Sequence, residues 1–92
     1  MQFITEDLLR KYPINLEIAK NQNEYISIPV HHFKNDFGTV LCGVLLSEEE
    51  IERINKEKRL YLCFQTFYQP LTPFKLLIGE QCAQQFIDMV KD

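Results

Sequence analysis

Residues Ser47 to Ile78 constrain the fold more than any other stretch, because they string together a capped helix, a strand apolar on both faces, a proline-bounded turn and a second apolar strand. Ser47 and Glu50 have the spacing of a capping box. The serine hydroxyl accepts from a free amide of the first turn and the glutamate reaches back to the serine amide, so a helix is predicted to start at Glu48. Ile51 and Ile54 form its apolar stripe. Glu49 with Arg53 and Glu52 with Lys56 stand four residues apart in the favourable order. Arg59 to Phe67 then turns Leu60, Leu62 and Phe64 one way and Tyr61, Cys63 and Phe67 the other. Pro70 and Pro73 bound the connection to a strand from Phe74 to Ile78. A strand, a helix and a strand of these lengths predict a right-handed crossover and a parallel pair at the centre of a sheet.

The rest of the chain adds shorter elements. Thr5 can cap a helix through Lys11, with Leu8 and Leu9 as its apolar contact, and Pro13 pushes Tyr12 out of the helical region. Ile14, Leu16 and Ile18 alternate with Asn15, Glu17 and Ala19, the period of a half-buried strand, which ends at the polar turn Lys20 to Glu24. Tyr25 to Phe33 repeats the alternation, and Pro29, which cannot donate to a ladder, places that strand at an edge or at a bulge. Asn35, Asp36 and Gly38 supply a turn into Thr39 to Leu46, a strand apolar on both faces and therefore central. Within it Gly43 marks a bulge or a close approach to the backbone. After Gly79 a final helix carries the stripe Cys82, Ala83, Phe86, Met89 and Val90. The sum is a single small α+β domain, 1–92, with a mixed sheet of about five strands and two to three helices.

Composition excludes several function classes. A net charge of -3 and a pI near 5.3 argue against direct nucleic-acid binding, which needs a basic face to displace counterions from phosphates. The longest apolar run falls short of the roughly 20 residues that span a bilayer, and the chain opens on Thr5, Glu6 and Asp7 instead of a basic, then apolar, signal region. The protein is thus expected to be soluble and cytoplasmic, with no membrane partner. Cys42, Cys63 and Cys82 are odd in number and each sits in a hydrophobic pattern, so they read as small reduced core residues, with Cys82, near a helix start, closest to the setting of a reactive thiol.

No spacing of residues specifies chemistry. His31 and His32 look like a metal pair, with Asp36 as a third ligand if Pro29 imposes a bulge, but neighbours on a strand face opposite ways and the plain reading is structural or surface histidines. Pro70 to Pro73 is formally a P-x-x-P motif and reads as a turn. The aromatics Tyr61, Phe64, Phe67, Tyr68 and Phe74 lack the glycines and basic flanks of a base-stacking sheet and read mostly as core. With no G-x-S-x-G, no glycine-rich loop before a helix and no paired carboxylates in an evident cleft, the chain is read as a non-enzyme with no catalytic residue, metal or cofactor.

Counting faces leads further. Two strands want cover on both sides and few helices are available, so one face of the sheet should stay apolar and be covered by a second copy or another partner. The segment Gly38 to Leu77 also resembles a class of small phage, prophage and mobile-element proteins. The resemblance rests on Cys42, Ser47, Glu49, Glu50, Ile54, Leu60, Tyr61, Leu62, Thr66, Phe67, Pro70, Leu71 and Pro73, and spans fewer than half of the residues. It departs from that pattern at Tyr61, where a tryptophan stands, and at Tyr68, where a glycine stands. It implies an origin in a mobile element of a bacterial host and no particular activity.

Two function classes fit these readings. The first is a stoichiometric interaction protein, such as an inhibitor of a host defence system, binding a host protein or sequestering a nucleotide signal. The acidic face Glu48, Glu49, Glu52 and Glu57 suits docking where nucleic acid would sit. Arg59, Lys75, His31, His32 and Tyr68 could meet phosphates and a base at a dimer seam. The second class is a structural or accessory module that assembles without a ligand.

Overall fold

The computed structural model describes residues 1–18, 27–64, 66–70 and 72–91. The turn read at Lys20 to Glu24, with Ala19, Tyr25 and Ile26 beside it, lies outside these residues. Five strands and two helices form one small α+β domain. The strands are β1 (Gln2–Phe3), β2 (Leu16–Ile18), β3 (Ile28–His32), β4 (Val40–Leu41) and β5 (Val44–Leu45), and the helices are α1 (Glu48–Glu57) and α2 (Glu80–Val90). Every strand pair among the described residues is antiparallel: β2-β3-β4 make one sheet and β1-β5 another.

β3 is central by order, yet β4 pairs only with His31 and His32, so Pro29 sits where β3 has no β4 neighbour and its missing donor breaks no β4 bond there. The turn after β3 forms as the sequence predicts. Phe33 N–H donates to the Thr39 carbonyl at 2.9 Å, and Gly38 takes the positive φ of +64° that glycine allows. Asn35 closes it, accepting from Thr39 N–H at 3.0 Å and donating to Thr39 Oγ1 at 2.8 Å. The same side-chain amide donates to the carbonyl of Val90 at 2.7 Å, which ties the sheet to the end of α2. At its other end α2 is held by Arg10 to Glu80 at 3.2 Å and by Gln84 to the Tyr12 hydroxyl at 3.2 Å. Inside this frame lie the buried side chains Leu8, Val30, Phe33 and Ile87.

The segment read as a single central strand, Thr39 to Leu46, is two short strands split at Cys42–Gly43. β4 stays with β3, and β5 turns to pair with the amino-terminal β1. Gly43 is where the chains approach closely: Ile4 N–H donates to its carbonyl at 2.8 Å, and a Cβ at that position would lie 2.8 Å from Ile4 Cδ1. Val40, Val44, Leu45 and Leu46 are exposed, because neither sheet is wide enough to be covered on both faces. The same narrowness leaves Leu16 and Ile18 of edge strand β2 exposed.

Three expected elements are absent among the described residues. Thr5 to Lys11 is a tight reversal, with Leu9 and Arg10 at φ of +53° and +62° and a bridge between Leu8 and Tyr12, and Leu8 is buried. The described residues of Arg59 to Phe67 and Phe74 to Ile78 carry no strand, no described strand offers them a ladder, and no parallel crossover is formed among the described residues. The helices also bury less than their patterns suggest. α1 buries no residue, with Ile51 exposed and Ile54 half-buried, and its expected pairs Glu49–Arg53 and Glu52–Lys56 are not made among the described residues. On α2 the buried residue is Ile87, flanked by half-buried Ala83, Phe86 and Val90, while Cys82 and Met89 face solvent. All three cysteines are exposed, contrary to the core reading.

These burials predict a sharp contrast. In urea unfolding, Ile87→Ala should lose about 2–4 kcal/mol, the usual cost of a cavity at a fully buried aliphatic position. Ile51→Ala, on an uncovered helix face, should change stability by less than about 0.5 kcal/mol.

Candidate interaction surface

α1 begins as its sequence dictates. Ser47 Oγ accepts from Glu50 N–H at 3.2 Å and Glu50 Oε1 accepts from Ser47 N–H at 2.8 Å, completing the capping box. The amino group of Met1 adds an ion pair to the same Glu50 oxygen at 2.8 Å. That amino group first, and the Ser47 amide second, hold the Glu50 carboxyl down at about 2, against an ordinary 4.5. Beyond this corner lies an open recess of about 230 Å³. Met1, Leu46, Ile54, Leu60 and Tyr61 give it an apolar lining, and Glu50, Arg53, Glu57 and Arg59 contribute charge.

The chain that leaves α1 is largely bare. Leu60, Leu62, Phe64, Phe74, Leu76 and Ile78 are all exposed, and Phe64 meets Phe74 with ring centroids 5.1 Å apart, so two apolar legs, 60–64 and 74–78, touch at that point. Between them Gln69 N–H donates to the Thr66 carbonyl at 2.9 Å across a reversal whose central residues, Phe67 and Tyr68, have φ of +50° and +65°. Two successive positive φ values suit Asn-Gly and not aromatic residues. Tyr68 is fully exposed at 103% and Phe67 is 67% exposed, so neither ring gains burial from the conformation.

The other residues read as candidate sites lie in separate surroundings. Glu48, Glu49, Glu52 and Glu57 are exposed on α1 and form an acidic face, with Glu57 at the recess. Arg59 lines the recess, but Lys75, His31, His32 and Tyr68 do not. Lys75 Nζ lies 5.9 Å from the centroid of the Phe86 ring. His31 packs against Phe33 at 4.6 Å and Tyr12 at 5.4 Å, and its Nδ1 lies 2.6 Å from the Pro13 carbonyl. A carbonyl only accepts, so Nδ1 donates and carries the proton. The backbone of His32 is bracketed by the Asn15 side chain, at 2.7 and 3.2 Å. Among the described residues no group of three His, Cys, Asp or Glu side chains is placed to hold a metal ion, and the pair does not gather Asp36. Desolvation pushes the Cys42 thiol up, away from thiolate character.

The surplus of surface is measurable. The chain exposes 8178 Å², whereas a compact folded monomer of its mass exposes about 5,600 Å². Its radius of gyration, 14.4 Å, exceeds the roughly 12 Å of a compact domain of this length. Exposed apolar side chains lie on the two legs and also on the sheets, at Leu16, Ile18, Val40, Val44 and Leu45. Sequence reasoning placed Leu60, Leu62 and Phe64 on a strand apolar on both faces and read Phe74 as mostly core; the signal that they are surface was the shortage of helices to cover them. Scans against protein-family models, curated proteins and solved structures find no match to this chain. Among the described residues no helix is long and apolar enough to cross a membrane.

Two measurements probe this region. Glu50 has a lowered folded-state pKa, so its contribution to stability is complete above the ordinary carboxylate range and is lost as pH falls through about 2. In carboxyl-detected NMR titration Glu50 should titrate near that value, and acetylation of the Met1 amino group should move it upward. Tyr68→Gly should raise stability by about 0.5–1 kcal/mol in thermal melts, by releasing a left-handed conformation that a side chain disfavours.

Proposed function

We propose that this chain is a non-enzymatic interaction protein that works by burying its bare apolar side chains against another protein. One observation carries the reading: the chain has about 2,600 Å² of surface beyond that of a compact monomer, and Leu60, Leu62, Phe64, Phe74, Leu76 and Ile78 stand exposed in it. A surface of that size and kind fits burial against protein far better than a solvated role. The absence of any nucleophile-and-base or phosphate-cradling pattern in the sequence favours binding over catalysis. The resemblance of Gly38 to Leu77 to small phage and mobile-element proteins supports a role in the bacterial cytoplasm, as a stoichiometric partner of a host protein or as an assembly module. For the first of these the exposed Glu48, Glu49 and Glu52 on α1 supply an electrostatic face.

Native mass spectrometry after incubation with cyclic and linear nucleotides tests the reading. Species should differ only by whole protein masses. A nucleotide retained stoichiometrically, and released by Arg59→Ala, would replace protein binding with capture of a small anionic signal. If a protein target is identified and a charge-reversal set at Glu48, Glu49 and Glu52 leaves its binding unchanged, contact runs through the apolar legs alone.

A further inference from the structure

We infer that the apolar legs 60–64 and 74–78 are a dimerisation element whose occupant is a second copy of this chain, taken up by strand pairing into one intermolecular sheet. The inference rests on the interaction-protein reading and names its partner. Three observations converge on it.

The first is a mismatch between sequence and chain. Leg 60–64 is apolar on both faces and leg 74–78 carries Phe74, Leu76 and Ile78 on one face at a period of two, the patterns of strands in a sheet, yet among the described residues neither has a strand partner. The backbone hydrogen bond found between them is the reversal from Gln69 to Thr66. Segments of high β-propensity with free backbone donors and acceptors are templates for another strand. The second is area. The excess of about 2,600 Å² per chain is slightly above the roughly 1,000–2,500 Å² that each copy contributes to an obligate homodimer interface, so there is surface enough for one.

The third is chemistry. From residue 59 to residue 78 the charged side chains are Arg59 and Lys75, so the legs themselves hold neither an acidic nor a basic patch with which to select an oppositely charged partner. Uncharged, aliphatic and aromatic surface is the composition of homodimer interfaces. Cover for such a surface is needed from synthesis onward, and a second copy is the one partner always present at equal concentration. A two-fold axis lets the same legs serve both sides.

The test combines light scattering after size exclusion with hydrogen exchange of peptides covering 60–64 and 74–78, across roughly a hundredfold range of concentration. The wild-type chain should run as a dimer, its leg amides protected and that protection fading on dilution, and its Tm should rise with concentration. Leu62→Glu and Leu76→Glu change side chains already exposed in the single chain, so they should keep the circular dichroism of the fold while weakening self-association by about tenfold or more. Should either variant fail to fold, the concentration dependence of the wild-type Tm still decides. A wild-type monomer with unprotected legs that bind a hydrophobic dye would overturn self-pairing and leave the interaction-protein reading standing. A monomer with protected legs and no dye binding would mean the chain covers its own legs, and both readings would fall.

Discussion

The side-chain amide of Asn35 joins the sheet to the second helix, and the part of this molecule that carries its buried side chains depends on that junction. The last carbonyls of a helix have no partner within it. Asn35 gives one to the Val90 carbonyl while fixing the turn that returns β3 to β4. Leaving such a group buried and unpaired costs about 1–3 kcal/mol, whereas an exposed ion pair such as Arg10 to Glu80 contributes about 0–1 kcal/mol. Of the polar contacts that clamp α2, those of Asn35 and Gln84 are partly buried and outweigh the exposed pair of Arg10 with Glu80. The Asn35 amide closes the frame within which Leu8, Val30, Phe33 and Ile87 are buried.

The other half is built differently. α1 is held by its capping box, by the Met1 amino group and by the two-residue ladder of β1 with β5, and it buries no side chain. Local polar contacts can define a helix end without anchoring the helix in a core. Free energies of local opening follow buried apolar contact, so α1 and the legs beyond it belong to the low-stability end of the molecule. Surfaces that assemble with partners are commonly drawn from that end. The division between a clamped α2 half and a capped α1 half thus follows from which residues find cover within the chain.

How much could be read in the sequence divides along the same line. The capping box at Ser47 and Glu50, the turn around Asn35 and Gly38 and the close approach at Gly43 were legible because each depends on residues near in sequence or on the absence of a side chain. The α+β class and the strand of β3 were legible from alternation. The helix read over Thr5 to Lys11 was not formed, because the bridge between Leu8 and Tyr12 overrides a weak local propensity, with Leu9 and Arg10 held at positive φ. Periodicity also misplaced the legs: a pattern of two says that a segment suits a buried strand, but not whether its neighbour lies in the same chain. On α2 the stripe was read partly out of phase, since Ile87, absent from it, is the residue that is buried.

The tip between the legs sharpens the contrast between stability and contact. Left-handed backbone costs a non-glycine residue about 1–2 kcal/mol, and Phe67 and Tyr68 adopt it in succession. Their rings recover little of that within the chain, because one is mostly and the other wholly exposed. Stability alone would favour glycine at 68. A large amphipathic ring therefore projects from a strained reversal at the end of two bare apolar legs. The strain and the exposure are then two aspects of one arrangement, a reversal held by its backbone hydrogen bond and not by burial of its rings.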